Sequence, residues 1–522
     1  MFKTLFQALK NTLNPCIKRW PLSYSLSLII ASLAFFPVII LFTLASDSVQ
    51  MFDARNLDIL SNTLLLMLFT GGGAVIIGVP LALLLTYVNI PWRRFWLILL
   101  TAPLALPSYL GAFTFYAAFG AGGEIENMLG ITTPAVNGLF GSSLIMVLYT
   151  YPFVLLSTRS ALSSLDASQV YAARTLGMSL LPSIWFVVLP RIRNAITGGA
   201  LLAAMYALSD FGTPAIMGLN TFTSEIYVEY NAFGLSQAAM LSLQLLAVVA
   251  LMLYMESKVN VSKEPPGRHL TFWPSPWQTK LLLLATLPVV IFSIFLPLAV
   301  FSLWLWREGV SSFDIQYAIN SGYASLIAAV VAVIFALPLA YAATKGKAGR
   351  IMERITFIGF GIPGIVMGTA LVYTGLQLPF LYQTLGLLIL AYVLRFLPLA
   401  VGTIRSSTES LDGALVNAAR VLGAKPKEAY RRITLPLTMR GVVAGAALVF
   451  LEVMRELPAT LLLGPIGFET LSTYLWRVYE AGYFGRAAIP GLLLFFISGL
   501  GLAIMFSTER WGSVTLNERS SR

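Results

Sequence analysis

Two sets of residues in this sequence have types and spacing that could do chemistry. The first is a string that occurs twice, Ala172-Ala173-x3-Gly177-x11-Leu189-Pro190 and Ala418-Ala419-x3-Gly423-x11-Leu435-Pro436. It holds no nucleophile and no base, so what it can make is a surface. Asp166 and Asp412, just upstream, can cap a short helix, and the alanine pair leaves a smooth, closely approachable face. Gly177 and Gly423 then break that helix, and Pro190 and Pro436 mark the start of the next one. The second set is three carboxylates in apolar surroundings, Asp210, Glu452 and Glu456. Asp210 follows Pro190 at the spacing at which Glu456 follows Pro436, about 30 Å of helix. Glu452 and Glu456 lie four apart with Arg455 beside them, so the three are expected on one helical face. This set can form an acidic mouth for a cation, or an internal ion-pair network. Arg395, next to Phe396 and close to Pro398, reads equally as a buried structural cation.

Other chemistries are excluded by what is missing. One Cys (Cys16) and one His (His269) leave no disulfide framework, thiolate cluster, histidine zinc site or histidine-based triad. No metal ligand set and no catalytic residue is assigned. No Gly-x4-Gly-Lys-Ser/Thr string occurs, so the chain is expected to cradle no nucleotide and to bind no cofactor. Lys345-Gly346-Lys347 reads as a basic turn.

The elements that position these residues are membrane helices. Of the 522 residues 57% are hydrophobic and 11% charged, against about 25% charged in soluble domains. Mean hydropathy is +0.81. Apolar stretches long enough to span a bilayer run over roughly 23–45, 59–88, 95–118, 138–158, 195–217 and 236–255. A second set runs over 281–305, 320–344, 355–378, 383–404, 441–463 and 487–506, giving an all-α polytopic membrane protein with about twelve transmembrane helices. The net charge of +11 fits this topology. Lys3, Lys10, Lys18 and Arg19 precede the first span without an acid, which predicts a cytoplasmic N-terminus. Alternation then leaves only Arg55, Arg307, Arg477 and Arg486 in outer loops, places every Lys inside, and returns the C-terminus to the cytoplasm. The basic balance therefore reports orientation in a lipid bilayer, and nucleic acid is not an expected partner.

The two halves are copies. Leu165, Asp166, Val170, Arg174, Leu176 and Gly177 recur as Leu411, Asp412, Val416, Arg420, Leu422 and Gly423. The same register equates Gly199 with Gly445, Asp210 with Glu456 and Phe222 with Phe468. Upstream, Asn62 and Pro80 match Asn320 and Pro338. The expected organisation is a first repeat over 1–255, a proline-rich cytoplasmic linker over 256–280 and a second repeat over 281–522. An even number of spans in each repeat predicts two parallel six-helix repeats about an axis along the membrane normal.

The duplicated string resembles the EAA loop of ABC-transporter permeases, Glu-Ala-Ala-x3-Gly-x9-Ile-x-Leu-Pro. The second copy carries Asn417-Ala418-Ala419, Gly423 and Ile433-Thr434-Leu435-Pro436. The first carries Tyr171-Ala172-Ala173, Gly177 and Val187-Val188-Leu189-Pro190. Neither has the Glu. The strings Asp210-Phe211-Gly212-Thr213-Pro214-Ala215 and Arg455-Glu456-Leu457-Pro458-Ala459-Thr460 are similar to those of fused two-copy ferric-iron permeases of the FbpB type. The resemblance implies a type I importer permease in a bacterial inner membrane. It implies two copies of a cytoplasmic ABC ATPase seated on the two loops, ATP and Mg held on those ATPases, and a periplasmic binding protein that selects the substrate. Ferric iron is the implied substrate; thiamine, 2-aminoethylphosphonate and polyamine systems share parts of the pattern. An ion-driven secondary transporter is the rival of a different class, and paired coupling loops argue against it. The loops differ in charge: Lys425, Lys427, Arg431 and Arg432 follow Gly423, whereas no charge lies between Gly177 and Pro190. The second loop is thus expected to make the more salt-sensitive contact.

Overall fold

The computed structural model describes residues 22–45, 54–120, 122–259, 270, 272–310, 313–409 and 413–500. Cys16, His269, Asp412 and the last residues of the expected 487–506 span lie outside the described residues. Within them the secondary structure is helical, apart from an isolated bridge between Val88 and Phe272.

Eight described helices are long and apolar enough to cross a membrane, or nine if one bent pair counts as a single span. The shortfall against the expected twelve has physical causes. The 95–118 stretch is the bent pair: helix Arg93–Thr101 and a 3-10 turn Ala102–Ala105 give way at Pro107 to helix Ser108–Phe119, at 88°. The 355–378 stretch breaks at Pro363, between helices Lys347–Gly361 and Gly364–Gln377. Helix Leu189–Ser209 carries Arg191 and Arg193 in its first turns, and Phe484–Leu500 runs to the last described residue.

Prolines also set the local geometry of the duplicated loop. Pro190 and Pro436 stand in the first turn of their helices, as expected from sequence, but each helix is entered through a π-helical turn instead of a loop. Short helices Leu180–Ser183 and Pro426–Ala429 pass through π-helical turns, Ile184–Val188 and Tyr430–Thr434, into helices Leu189–Ser209 and Leu435–Met454. A third π turn, Ile291–Phe295, likewise runs into Leu296-Pro297. A proline cannot donate to the carbonyl four residues back and its ring pushes that carbonyl away. One extra residue in the turn accommodates both.

The repeat is visible in packing as well as in sequence. Helices Gly138–Ser164 and Leu189–Ser209 meet at Gly199, where a Cβ would stand 2.7 Å from the Val154 Cα. Helices Leu385–Glu409 and Leu435–Met454 meet at Gly445, where it would stand 3.0 Å from the Ala400 Cα. Asn62 donates to the Asn220 carbonyl (3.1 Å), as Asn320 does to the Glu469 carbonyl (2.9 Å). These bonds, and the capping boxes Thr221/Ser224 and Thr470/Thr473, correct one expected equivalence. Phe222 corresponds to Leu471, not to Phe468, because the second repeat has extra residues in the turn after Gly464.

Gly199→Ala and Gly445→Ala are each expected to destabilise the chain by about 1–3 kcal/mol, since backbone stands in the way. Gly72→Ala and Gly322→Ala meet nothing within 4 Å and are expected to be neutral or stabilising. Thermal melting of the detergent-purified chain checks the contrast; equal effects at all four positions would refute the packing argument.

Two compact units form. One contains the described residues of Met1–Thr43 and Ile319–Glu469, the other those of Leu44–Ala318 and Thr470–Arg522. Each gathers segments from both sequence repeats. In the second unit the second repeat's opening helix packs on the first repeat: Phe113 lies 5.5 Å from Trp304 and 6.4 Å from Phe301, between ring centroids. Glu124 accepts from the Trp304 indole and from Arg307, both at 2.7 Å.

Candidate functional site: two loop helices and two carboxylate caps

The duplicated strings fold into the same object. The first loop helix is Ser168–Thr175 and the second Gly413–Val421. Both end on a glycine at φ +90°, Gly177 and Gly423, in the left-handed region that disfavours side chains. In the first, Gly177 N–H donates to the Arg174 carbonyl (3.0 Å) and Met178 N–H to the Ala173 carbonyl (3.1 Å). In the second, Gly423 donates to Arg420 (3.1 Å) and Ala424 to Ala419 (3.0 Å). This pair of bonds is a Schellman cap, which only the glycine conformation permits without strain. At the other end Asp166 accepts from the Ser168 N–H (3.1 Å), the capping role expected of it. Its counterpart Asp412 lies outside the described residues.

The first loop helix is anchored from below. Val170 and Ala167 are buried in a cluster with Tyr87, Leu162, Leu165, Val188 and Ile192. The alanine pair straddles this boundary, Ala173 turned inward and Ala172 outward. In the second helix Ala418 is exposed and Ala419 half-buried. Just before each capping glycine stands an apolar tip: Leu176 is 86% and Leu422 87% exposed. Among the described residues nothing covers this duplicated leucine. Beyond Gly423, Lys425 and Arg431 are exposed, and Arg432 pairs with Glu428 at 3.2 Å.

The carboxylates form a second matched pair. Asp210 follows the end of helix Leu189–Ser209 and accepts from the Ser108 hydroxyl (2.9 Å) and from the Thr213 N–H (2.9 Å). Glu456 follows the end of helix Leu435–Met454 and accepts from the Ala459 N–H (3.2 Å). Thr213 and Ala459 are equivalent positions, so each carboxylate caps the short helix after its break, Gly212–Met217 and Pro458–Leu463. Backbone carbonyls at the breaks find hydroxyls: Thr223 donates to Asp210 O (2.7 Å) and Thr460 to Glu456 O (2.9 Å). The remaining partner differs. Arg395 pairs with Glu456, while the equivalent position in the first repeat is Tyr149. Gly364 makes room for this, since a Cβ there would collide with the Arg395 guanidinium and the Glu456 carboxylate. Ser108 holds the corresponding place in the first repeat.

The expected shared face of Glu452, Arg455 and Glu456 is corrected. The helix stops at Met454, because Pro458 has no N–H to continue it. Arg455 turns back to Glu452 (Nε–Oε2 3.1 Å), and Glu456 faces Arg395 instead. Glu456 is buried, with 6% of its side chain exposed, whereas Asp210 and Glu452 are half-buried.

Residues 74–260 and again 328–511 match the family of binding-protein-dependent transport system inner membrane components. The chain belongs to this family. The permease is similar to the Fe(3+)-transport system permease protein FbpB 2 of Haemophilus influenzae, 30% identical over 87% of this chain and 90% of that one. It is also similar to the probable ABC transporter permease protein y4fN of Sinorhizobium fredii, at 24% over 89% and 90% of the two chains. The ferric transport system permease protein FbpB of Actinobacillus pleuropneumoniae is 21% identical over 84% of this chain and 69% of its own. Each family match begins beyond the opening helix of its repeat, Leu22–Ala45 or Pro276–Glu308.

Several residues of the permease's matched pair escape a reading of the sequence. Ser108 and Gly364 lie where the loop lengths of the repeats differ, and only the prolines before them, Pro107 and Pro363, signal their equivalence. Tyr392, whose hydroxyl is 2.7 Å from the Thr460 hydroxyl, carries no motif. The tips Leu176 and Leu422 are repeat identities in sequence, where nothing signals their exposure.

Proposed function

We propose that this chain supplies both membrane halves of an ATP-driven importer that moves ferric iron from periplasm to cytoplasm. Two copies of a cytoplasmic ABC ATPase, which hold ATP and Mg, seat on the two loop helices, and a periplasmic binding protein delivers the ion. Both termini are cytoplasmic, and the repeats run over 1–255 and 281–522, joined by 256–280. One observation carries the reading: two loop helices in one chain, identically capped at Gly177 and Gly423 and tipped by exposed Leu176 and Leu422. An ion-driven carrier has no ATPase to dock and no use for such a pair. Ferric iron is favoured because relatives similar over most of their length are named for it. Of the three carboxylates we assign the cation to half-buried Asp210, while Glu452, neutralised by Arg455, and Glu456, neutralised by Arg395, serve the scaffold.

Leu176→Asp combined with Leu422→Asp tests the docking. Each replaces an apolar contact by a buried charge in the proposed interface, and ATPase association is expected to fall at least about tenfold, with membrane insertion unchanged. Wild-type co-purification and wild-type ATP-dependent ferric uptake in the double variant would refute the docking. Binding-protein-dependent uptake of thiamine or a polyamine by the wild type, without ferric uptake, would move the substrate and leave the docking intact.

A further inference from the structure

The first repeat holds a cleft of arginines that the proposed transport cycle does not use. Arg93 and Arg94 open helix Arg93–Thr101, and Arg159 lies near the end of helix Gly138–Ser164. The three line a cavity of about 360 Å³, together with Leu85, Leu97 and Ser163. Arg93 donates to the Thr86 carbonyl (2.8 Å), and Arg93 and Arg159 are close enough to repel. No carboxylate among the described residues pairs with Arg94 or Arg159.

The second repeat shows what such a place requires. The equivalent of Arg159 is Arg405, in the register that equates Pro152 with Pro398. Arg405 is neutralised twice within its own unit, by buried Glu353 (2.6 Å) and by Glu409 (3.3 Å). The same register equates Glu409 with Ser163. Aligning Pro363 with Pro107 equates Glu353 with Leu97 and Arg350 with Arg94. Both neutralising carboxylates are therefore absent from the first repeat, and the residues in their places line the cavity. Arg93 and Arg94 are exposed and Arg159 half-buried, so water screens part of their repulsion, and the cleft has room for an anion from outside to do the rest.

We propose that this cleft binds a phosphate-bearing anion, held by Arg94 and Arg159 with Arg93 at its rim, in the role that Glu353 and Glu409 play in the second repeat. Paired guanidinium groups suit phosphate oxygens better than any single-point anion. The cleft lies at the end of the helices that leads into the first loop helix, where basic residues concentrate and where lipid headgroups meet such pockets. A lipid phosphodiester and free phosphate offer the same chemistry.

The test is native mass spectrometry of the delipidated full-length chain, titrated separately with phosphatidylglycerol, phosphatidylcholine and inorganic phosphate. One phosphatidylglycerol, or one phosphate, is expected to bind in preference to phosphatidylcholine. Leu97→Glu, which supplies the missing carboxylate, and Arg94→Gln, at an exposed position, are each expected to weaken it at least about tenfold. Displacement of the lipid by millimolar phosphate would identify free phosphate as the occupant, and its persistence would identify the lipid. Wild-type affinity in the Arg94→Gln variant and in any folded Leu97→Glu variant, or no preference for either anion by the wild type, would overturn the proposal.

Discussion

Gly177→Pro and Gly423→Pro, made together, are expected to abolish ATP-dependent uptake and release the ATPase, while the chain still inserts in the membrane. Both glycines sit at φ +90°, and proline is confined near −65°. Proline also removes the N–H that reaches the Arg174 or Arg420 carbonyl, and it pushes the preceding residue out of helical conformation. That preceding residue is the exposed tip, Leu176 or Leu422, so the change moves the surface proposed to dock. Alanine separates the contributions. A Cβ at either glycine meets nothing within 4 Å, so alanine suffers only the left-handed backbone strain, about 1–2 kcal/mol, and keeps the N–H. The alanine pair is thus expected to retain the ATPase with partly reduced uptake. The proline pair is expected to lower uptake at least about a hundredfold, since cap and tip are lost at both sites. Wild-type ATPase stoichiometry and transport in the proline pair would remove the loop helices from the coupling mechanism.

How much of this was legible in the sequence depends on whether the determining contact is local. The loop helices were legible because a helix cap is local: Asp166, the alanine pair and Gly177 specify the object within a dozen residues of chain, and repetition at Gly423 excludes accident. The π turns were missed, although a Leu-Pro pair follows each, because Pro190 read as a helix start when judged without the residues before it. The carboxylates were found, but their partners were not. Arg455 is next to Glu456 in sequence, but both lie in the break between Met454 and Pro458, where Arg455 turns back to Glu452; Arg395, on another helix, is the residue that reaches Glu456. Periodicity assumes an unbroken helix, and the breaks at Pro107, Pro363 and Pro458 are where it fails. The arginine cleft was hidden for a related reason. In sequence Arg93, Arg94 and Arg159 fit the basic bias of the inner loops, and the missing carboxylates stand out only where Leu97 and Ser163 take the places of Glu353 and Glu409.

The Arg395–Glu456 pair makes the opposite demand on the two repeats. Arg395→Leu is expected to leave the buried Glu456 carboxylate without its cation and to destabilise the chain by about 3–5 kcal/mol. Glu456→Gln strands Arg395 in the same way, and also weakens the cap on the Ala459 N–H. The double change Arg395→Leu with Glu456→Gln removes both charges, so it is expected to be more stable than either single variant. The glutamine oxygen still accepts from Ala459, and Gly364 spares the smaller side chains any clash. Asp210 should behave differently. The Ser108 hydroxyl reaches its Oδ1 and the Thr213 N–H its Oδ2; in Asp210→Asn the amide oxygen can keep the Thr213 N–H while the amide N–H donates to the Ser108 hydroxyl, so the change is expected to cost about 1 kcal/mol. Any larger loss of ferric uptake in Asp210→Asn, at equal membrane levels, then reports on the negative charge itself and not on the fold. Melting curves of the four variants and the wild type give the coupling directly. If the double variant were as unstable as the sum of the singles, the two groups would be independent, and Glu456 would return to the candidates for the cation's path alongside Asp210.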